Sequence, residues 1–244
     1  MTHKGLFIAG TDTDIGKTVV TGLLAEYLTK KKISVITQKW VQTGKSSRND
    51  DISCHLQASG TRKNIPKKYY SLMVPYSFDF AASPHLASAL EGVKISPKKI
   101  LKSFRALSEN FDIVLVEGTG GLLVPITENE LAVDIVRSLD LDVILVIGNR
   151  LGAINQALLS IEAIRRRGIR LQGLIFNRFS PDGDETVLDD NRRIITLFSG
   201  VEDFGEVPYE KDSAKRTEAF DPIGESVFAK IGNKAGYSCE GSNK

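Results

Sequence analysis

Short apolar runs alternate with longer helical patterns along most of this chain. The apolar runs are hydrophobic on both faces, which is typical of parallel strands covered by helices on each side. They occupy residues 6–9, 33–36, 112–116, 143–147 and 171–176, with a short sixth candidate at 204–207. Helical spacing of apolar positions is present at 17–31, 51–59, 84–91, 97–108, 130–139, 154–167 and 188–197. The alternation predicts an α/β fold, a doubly wound, mostly parallel sheet with helices on both faces.

A single domain is expected. Neither an internal repeat nor a low-complexity linker divides residues 1–244. A chain of 244 residues buries about 70–75% of its unfolded surface, which is enough for one sizeable core. The segment 232–244 is polar and rich in Gly and Ser, and we expect it to fray.

Bulk composition argues against several classes of function. Hydrophobic residues make up 41% and charged residues 25%, and the formal net charge of +2 gives no reason to expect nucleic acid or an anionic membrane as a partner. No apolar run approaches the ~20 residues of a membrane span, and Met1–Lys4 lead into the first strand without a signal peptide. Only two cysteines are present, Cys54 and Cys239. We therefore expect no disulfide and a location in the reducing cytoplasm.

The segment Gly10–Thr18, with the sequence GTDTDIGKT, lies between the first apolar run and the first helical pattern. A strand, a glycine-bearing loop and a helix that starts with Gly-Lys-Thr form a cradle for a polyphosphate, because loop N–H groups and the helix N-terminus attract anions. In such a P-loop, Lys17 reaches the β- and γ-phosphates and Thr18 places its hydroxyl on Mg²⁺. The spacing is stretched, since Gly10 stands six residues before Gly16. The sequence therefore predicts a nucleoside triphosphate site in a fold of the P-loop NTPase type.

Other loops are expected to surround the same ligand. In open α/β sheets ligands bind beyond the carboxyl ends of the strands. Besides the P-loop, the segments at those ends carry polar residues and glycines at 38–44, 117–121, 148–152 and 177–178.

Acidic residues in two places are candidates for holding Mg²⁺ beside the phosphates. Glu117 ends an apolar strand and is followed by Gly-Thr-Gly-Gly, although a strand-end Glu can also cap a turn. Asp51 precedes a helical pattern, where an Asp is commonly only an N-cap, and Asp50 is an alternative at the same place. Mg²⁺ bound with a nucleotide usually takes one or two carboxylates, so the metal role is favoured for Glu117 and stays open between the two aspartates.

Cations, hydroxyls and an amide complete the candidates. Lys39 follows a buried strand; a surface lysine is the simpler interpretation, but phosphoryl transfer spreads negative charge that a cation placed there stabilises. Thr13 and Thr43 are short hydroxyl donors in adjacent loops, and either can be ordinary turn chemistry. Asn177 follows the fifth strand, where its amide can hydrogen-bond a purine edge or occupy a left-handed turn equally well.

The remaining reactive residue types indicate no competing site. His3, His55 and His85 lack Cys or carboxylate partners at metal-ligand spacing and are interpreted as structural. Cys54 lies on a helical pattern, where a core position is more common than a nucleophile. The sequence also has no G-x-S-x-G nucleophile elbow.

Taken together, these loops resemble one family, the dethiobiotin synthetases. The matching segments span about residues 5–210 in the family's order; they are Gly10–Thr18 with its stretched spacing, Lys39-x-Val41-x-Thr43-Gly44, Ser83-Pro84-His85, Val116-Glu117-Gly118-x-Gly120-Gly121, Leu151-Gly152-x-Ile154-Asn155 and Asn177. The first segment is fairly specific by itself, and several in register are strongly so. The chain departs from the family pattern at Trp40, where Pro usually follows the lysine, which leaves the path of this loop open.

The resemblance implies an ATP-dependent cyclo-ligase of biotin synthesis that uses Mg²⁺ and forms no covalent enzyme intermediate. Its substrates are 7,8-diaminononanoate, CO₂ and ATP. One amine takes up CO₂ as a carbamate, the carbamate attacks the γ-phosphate to give a carbamic–phosphoric anhydride, and the second amine closes the ring. The products are dethiobiotin, ADP and phosphate.

The resemblance also implies residue roles at the reacting end. Lys39, Lys17 and Thr13 are catalytic, with the two lysines stabilising carbamate and γ-phosphate charge. Thr13, Thr43 and Lys39 contact the carbamate. Mg²⁺ is held by Thr18, Asp51 and Glu117.

Further positions follow from the same resemblance. The tail carboxylate of the substrate is bound across a dimer interface by Leu151, Gly152 and Asn155, which implies an obligate homodimer. Adenine is read by Asn177 together with the stretch 206–208. The full set of nucleotide-binding positions is Asp14, Ile15, Gly16, Lys17, Thr18, Val19, Asp51, Glu117, Gly118, Thr119, Gly120, Asn177, Arg178, Glu206, Val207 and Pro208.

Two other classes share parts of this pattern. Partitioning and cell-division ATPases carry a signature lysine five residues before the phosphate-binding lysine, where this chain has Asp12. They also often end in an amphipathic segment, and Gly232–Lys244 shows no apolar face. An amidotransferase-type synthetase needs an additional glutaminase domain, for which 244 residues leave little room.

Overall fold

The fold is described from a computed structural model of the chain. It describes residues 5–44, 50–61 and 65–235, so predictions made for Met1–Lys4, His3, Cys239 and the tail beyond residue 235 lie outside the described residues. The strands are β1 (Gly5–Gly10), β2 (Val35–Lys39), β3 (Val41–Gln42), β4 (Tyr76–Ser77), β5 (Ile113–Glu117), β6 (Asp142–Gly148), β7 (Leu171–Asn177) and β8 (Asp203–Val207). The helices are α1 (Lys17–Lys30), α2 (Asp51–Ala58), α3 (Tyr70–Met73), α4 (Pro84–Leu90), α5 (Pro97–Ser108), α6 (Ala132–Ser138), α7 (Ala153–Arg166), α8 (Glu185–Ser199) and α9 (Ser213–Ala235).

Six of the strands form one parallel sheet in the order β2-β5-β1-β6-β7-β8. β1 lies in its interior, hydrogen-bonded to β5 on one side and β6 on the other, so the loop after β1 has neighbours on both sides. The short strands β3 and β4 pair in parallel apart from this sheet. The predicted fold class, a doubly wound α/β domain, is confirmed.

Each face of the sheet is covered by its own apolar cluster. Along β1, Phe7 and Ala9 belong to one cluster and Leu6 and Ile8 to the other, as expected for a strand that is buried on both sides. Helices α2, α5, α6 and α7 contribute side chains to the first cluster, and α1 and α9 contribute to the second. Because both faces are packed, the strand ends are firm supports for the loops that follow them.

Several predicted helices have different ends in the structure. The helix predicted at 188–197 begins at Glu185, because the side chain of Asp184 caps it by accepting hydrogen bonds from two N–H groups of the first turn. It continues to Ser199. The helix predicted from residue 130 begins only at Ala132.

The sequence pattern did not predict helix α9. Pro222 and Gly224 interrupt its apolar spacing, yet Phe220 and Phe228 are buried in the cluster that α9 shares with α1. A side chain at position 224 would not fit, because a Cβ there would lie 2.4 Å from the ring of Tyr27 on α1. Residues 232–235 continue this helix, and fraying of the chain from residue 232 stays a prediction. Within the described ranges, no helix combines the length and apolar character needed to cross a membrane.

Three short elements also escaped the pattern: β3, β4 and α3. They contain two to four residues each, too few to show a period of two or of 3.6. The strand predicted at 33–36 is displaced as well, since β2 runs from Val35 to Lys39. Lys39 is therefore the last residue of a buried strand rather than part of a loop.

The sheet register explains how distant residues meet at one edge. In the parallel pair of β2 and β5, Lys39 is the direct partner of Glu117, and both are strand-terminal residues. Glu117 is also the register partner of Ile8 in β1, two residues before that strand ends. The carboxyl ends of β1, β2 and β5 thus bring the P-loop, a lysine and a carboxylate together.

Candidate active site

The side chain of Asn177, at the end of β7, supports the P-loop. Gly16 precedes α1 with a φ of 91°, a left-handed conformation that favours glycine. The Asn177 side chain at the end of β7 donates a hydrogen bond from Nδ2 to the backbone carbonyl of Ile15 at 2.8 Å. A Cβ at Gly16 would lie only 2.1 Å from that nitrogen, so any larger residue would force the loop away from its support. Asn177 therefore contacts the nucleotide loop, while its predicted contact with a purine stays a prediction.

Lys17 begins α1 and is almost completely buried. Its Nζ donates to the backbone carbonyl of Asp12 at 2.5 Å, which folds the lysine back along the loop. Burial and then the nearby Lys39 ammonium lower the pKa of Lys17 to about 8. An anion such as a phosphate chain would relieve both unfavourable effects, which is the behaviour expected of a phosphate-binding lysine.

Lys39 and two carboxylates form a buried charge cluster at the ends of β2 and β5. The Lys39 Nζ lies 2.6 Å from Glu117 Oε1 and 2.8 Å from Asp51 Oδ2, and it also donates to the carbonyl of Gly118 at 3.1 Å. Burial opposes the charge on Lys39, but the two carboxylates outweigh it and raise the pKa of the lysine. Burial would raise the pKa of Glu117, whereas Lys39 and His55 together lower it to about 2. The simpler sequence interpretation, a solvent-exposed Lys39, is wrong.

Three oxygen atoms converge beside the P-loop. The Thr18 hydroxyl is 3.1 Å from Asp51 Oδ1 and 3.1 Å from Glu117 Oε1. Two carboxylates and a hydroxyl are the ligand types that Mg²⁺ prefers, so this donor set fits the expected metal. In the described part of the chain no group of three or more His, Cys, Asp and Glu side chains could hold a metal by itself. A Mg²⁺ here would therefore rely on the threonine and the phosphates as well.

The open choice between Asp50 and Asp51 has a clear geometric answer. Asp50 is the N-cap of α2, and its carboxylate accepts from the N–H of Ser53 at 2.6 Å and from the Ser53 hydroxyl at 3.1 Å. Asp51 is the first helical residue, and its carboxylate contacts Thr18 and Lys39. The helix cap and the candidate metal ligand are therefore adjacent but different residues.

His55 was interpreted from sequence as structural, but the structure brings it into the site. Its ring is fully buried, and Nε2 lies 2.7 Å from Glu117 Oε2. The signal that sequence reasoning missed is the four-residue spacing between Asp51 and His55, which places both on one face of α2. His85 lies elsewhere, with Nδ1 3.1 Å from the hydroxyl of Ser83.

Cys54 is half-buried on α2, and the structure gives no reason to assign it a nucleophilic role. Burial first, and then the carboxylates of Asp51, Asp50 and Glu117, raise the pKa of its thiol. A higher pKa leaves less of the reactive thiolate at neutral pH. The other cysteine of the sequence, Cys239, lies outside the described residues.

An open pocket of about 200 Å³ is lined by residues from all these loops. Its lining residues are Thr13, Asp14, Gly16, Lys17, Thr18, Lys39, Gln42, Thr43, Asp51, Glu117, Thr119 and Gly120. Thr13 and Thr43, predicted to contact substrate, thus share one cavity with the charge cluster. Trp40 does not line it; the indole is buried against Phe7 at a ring-centroid distance of 5.1 Å, and its Nε1 donates to Gln38.

The other predicted nucleotide-binding residues lie around this pocket and at the ends of β7 and β8. Gly118 donates its N–H to the carbonyl of Ile8 in β1 at 3.0 Å, and the Thr119 hydroxyl donates to the carbonyl of Val41 at 2.8 Å. Val19 is half-buried in the first turn of α1.

Arg178 connects the ends of β7 and β8. Its backbone N–H donates to the carbonyl of Val207 at 2.9 Å, directly before Pro208. Its guanidinium is paired with Glu206 and with both carboxylate oxygens of Glu185. The second oxygen of Glu206 accepts from Asn149. These side chains form a connected polar network at the ends of β7 and β8.

The loop before α7 has a different character. Leu151 is 86% exposed, Gly152 is the N-cap of α7, and Asn155 is exposed on the first turn. None of the three belongs to the described lining of the P-loop pocket. The P-loop and α7 are nevertheless linked, because the Asp12 carboxylate accepts hydrogen bonds from Arg150 at 3.1 Å and Gln156 at 3.3 Å.

Fold and site together define a P-loop nucleoside triphosphatase, and similar proteins narrow this class. A family model described as an AAA domain matches residues 4–217. The ATP-dependent dethiobiotin synthetase BioD of Chlorobaculum tepidum is 42% identical over 208 residues, covering 85% of this chain and 86% of that protein. BioD 2 of Haemophilus influenzae is 42% identical over 179 residues, covering 72% of this chain and 92% of that protein. The chain belongs to the dethiobiotin synthetase family and is an ATP-dependent ligase.

Solved structures with the same fold include members of the class considered as an alternative. The septum site-determining protein MinD of Pyrococcus horikoshii, complexed with Mg-ADP, has a TM-score of 0.59 and 16% identity over 95% of this chain and 98% of its own. A putative plasmid partition protein of Borrelia burgdorferi bound to AMPPNP has a TM-score of 0.60 and 15% identity, covering 93% and 99%. At such identities the similarity confirms the P-loop ATPase fold alone, whereas the sequence relatives are ligases.

Proposed function

We propose that this protein converts 7,8-diaminononanoate, CO₂ and ATP into dethiobiotin, ADP and phosphate. One amine of the substrate adds to CO₂ and loses a proton, which gives a carbamate. A carbamate oxygen attacks the γ-phosphorus and ADP leaves, which gives a carbamic–phosphoric anhydride. The second amine then attacks the carbamate carbon and loses a proton, the carbon–oxygen bond to phosphate breaks, and phosphate departs as the ring closes.

The observation that carries this proposal is the buried group of two ammonium ions and two carboxylates, Lys17, Lys39, Asp51 and Glu117. Lys39 contacts both carboxylates, while Lys17 lies close enough for its pKa to be affected by Lys39, Glu117 and Asp51. Once a divalent cation neutralises the carboxylates, both ammonium groups become available to anions. The reaction presents two anions, the γ-phosphate and the carbamate, at the same place.

Mg²⁺ is the proposed cofactor, held by Thr18, Asp51 and Glu117 together with the phosphates. Support comes from the convergence of their three oxygen atoms at distances of 3.1 Å. When bound, Mg²⁺ would stabilise the charge that develops on the phosphate oxygens.

Charge stabilisation and orientation are the proposed contributions of this chain's own side chains. Lys17 binds the β- and γ-phosphates, and Lys39 holds the carbamate oxygen in line with the γ-phosphorus. Thr13 and Thr43 donate hydroxyl hydrogen bonds to the carbamate from the pocket wall that they share. Direct attack by the substrate, without a covalent enzyme intermediate, is part of the proposal.

For the nucleotide, we propose that backbone N–H groups from Asp14 to Val19 wrap the phosphates and that Gly118–Gly120 closes the opposite side. The adenine is proposed to lie against Asn177, Arg178 and the segment 206–208. Supporting this, both groups belong to the same edge of the sheet, and Asn177 contacts the phosphate loop directly. Specificity for ATP comes from the names of the relatives and not from a described contact.

We also propose that two copies of the chain complete one active site. The tail carboxylate of the substrate would be bound by N–H groups at the start of α7, with Leu151, Gly152 and Asn155 facing the partner. Leu151 is 86% exposed and is therefore accessible to a second copy. A cytoplasmic location and the absence of nucleic acid and membrane partners stay predictions.

A reconstituted assay tests the proposed reaction. Purified protein is mixed with 7,8-diaminononanoate, bicarbonate, MgCl₂ and ATP, and dethiobiotin and ADP are quantified by mass spectrometry. We expect equimolar dethiobiotin and ADP, no product without the diamine, and no product from Lys17→Ala. Folded protein that hydrolyses ATP at the same rate with and without the diamine, and forms no dethiobiotin, would contradict the proposal.

A further inference from the structure

His55 is a buried polar side chain in the site to which the proposed reaction gives no role. It lies on α2, its ring is completely inaccessible to solvent, and its Nε2 lies 2.7 Å from Glu117 Oε2. Its other nitrogen, Nδ1, is also buried and has no hydrogen-bond partner among the described residues. An imidazole enclosed in this way, bonded through one nitrogen only, needs a physical explanation.

The contacts define which hydrogen atoms the ring carries. Glu117 also accepts from the Lys39 ammonium at 2.6 Å, so its carboxylate is ionised and can only accept. Nε2 of His55 must then be the donor. The hydrogen on Nε2 is an assignment that rests on the hydrogen-bond network.

The two oxygens of Glu117 have separate partners. Oε2 is bonded to His55, while Oε1 contacts Lys39 at 2.6 Å and Thr18 at 3.1 Å. Rotation of the carboxylate would break the bond to His55, so the histidine keeps Oε1 directed toward the P-loop. A hydrogen-bonded partner behind a ligating carboxylate commonly serves this purpose.

The same bond also orients α2. His55 and Asp51 are four residues apart and lie on one face of this helix. Because His55 is bonded to the end of β5, α2 is fixed about its axis with Asp51 facing Thr18 and Lys39. One hydrogen bond therefore contributes to the orientation of both carboxylates.

We propose that His55 is a positioning residue for the cation site: its Nε2–H fixes Glu117 Oε1 and, through α2, the carboxylate of Asp51 in the geometry that binds Mg²⁺. The inference rests on the proposed function for the metal role of these two carboxylates. It adds a residue that this metal role requires of this chain.

The test compares substitutions that keep or remove the donor at the position of Nε2. His55→Gln retains an N–H donor of similar reach, His55→Asn has a shorter side chain that stops before Glu117, and His55→Leu is apolar. Gln57→Leu, at an exposed position of the same helix, controls for the added leucine, and Leu56→Ala, a buried neighbour, controls for lost packing. Calorimetry measures the affinity for ADP with Mg²⁺ and with EDTA.

We expect His55→Leu and His55→Asn to lower the Mg²⁺-dependent gain in ADP affinity about 10–100-fold and to leave the affinity in EDTA unchanged. His55→Gln should restore most of the gain, and both controls should retain it. Imidazole ¹⁵N spectra of the wild type should show a hydrogen on Nε2. Equal Mg²⁺ dependence in the His55 variants and the wild type would overturn the proposal, as would equal losses in Gln and Asn.

The outcome is separable from that of the proposed reaction. If the wild type forms no dethiobiotin but His55→Leu still loses Mg²⁺-dependent ADP affinity, the reaction is wrong and the positioning role stands. If the wild type forms dethiobiotin and the His55 variants bind Mg-ADP normally, only the positioning role fails. Should His55→Leu not fold, the comparison of Gln with Asn decides.

Discussion

The two places proposed to hold opposite ends of the substrate are built very differently. At the phosphate end, Lys39 and Glu117 are about 95% buried or more, and the two are paired with each other within the same chain. At the tail end, Leu151 is 86% exposed and Asn155 faces solvent. The two regions are linked by hydrogen bonds from Arg150 and Gln156 to the carboxylate of Asp12.

This difference fits different proposed roles for the two regions, charge stabilisation at the phosphate end and binding of the substrate tail at the other. Stabilising transition-state charge requires groups that are already oriented and protected from water, which a rigid parallel sheet supplies within one chain. Binding the inert tail of a substrate requires no such rigidity and can be completed by a second copy. Changes at the phosphate end should therefore affect turnover, and changes at the tail end should affect substrate affinity and assembly.

The largest effect is expected from Lys39→Ala. This change removes a cation where phosphoryl and carbamate charge develops, so kcat should fall about 10²–10³-fold, while ADP affinity measured by calorimetry changes much less. It also leaves Glu117 and Asp51 without their buried partner, which costs about 3–5 kcal/mol of unfolding free energy.

Two controls separate these consequences. Lys98→Ala removes an exposed lysine on α5 and should leave both kcat and stability unchanged. Thermal denaturation identifies the temperature at which Lys39→Ala is still folded, and kinetics are then measured there. Parallel losses in kcat and ADP affinity would argue against a transition-state role.

The next effect concerns the metal. Glu117→Gln keeps the size of the side chain but removes the negative charge and replaces one oxygen by a donor. The Mg²⁺ concentration for half-maximal activity should rise about 10–100-fold. Activity is measured across MgCl₂ concentrations at saturating ATP. An unchanged Mg²⁺ requirement would remove Glu117 from the metal site.

How much of the site could be predicted from the sequence depends on whether the signal is local or long-range. Gly16, Lys17 and Thr18 could be placed because a strand, a loop and a helix give a local signal. Glu117 could be predicted because it ends a strand that is apolar on both faces. The pairing of Lys39 with Glu117 could not, because strand order and register depend on long-range packing.

Other misses have their own causes. Asp50 and Asp51 are equivalent in a sequence, and only the rotation of α2 makes one a cap and the other a site residue. His55 was overlooked because its partner is 62 residues away. Helix α9 was missed because Pro222 and Gly224 weaken its pattern, although packing against α1 overrides that local preference.

A smaller effect should distinguish the two adjacent aspartates. Asp51→Asn should raise the Mg²⁺ requirement about tenfold with little change in stability, because it alters a site residue. Asp50→Ala should instead destabilise the protein by about 1 kcal/mol through loss of the α2 cap, with an unchanged Mg²⁺ requirement. Mg²⁺ titrations of activity and chemical denaturation are compared for both variants. The reverse pattern would exchange the two assignments.

The smallest effect on catalysis is expected at the tail end. Leu151→Ser removes an apolar side chain whose burial in a partner would contribute about 1.5–3 kcal/mol, and two-fold symmetry would apply that loss twice. The protein should shift toward monomer in light scattering, and KM for the diamine should rise a few-fold, while kcat at saturation and ADP affinity stay near wild type. Leu197→Ser on α8 is the matched control, since Leu197 is 67% exposed and outside the proposed interface. If Leu151→Ser leaves both the molar mass and KM unchanged, the loop before α7 does not meet a partner, and the tail of the substrate must be bound within one chain.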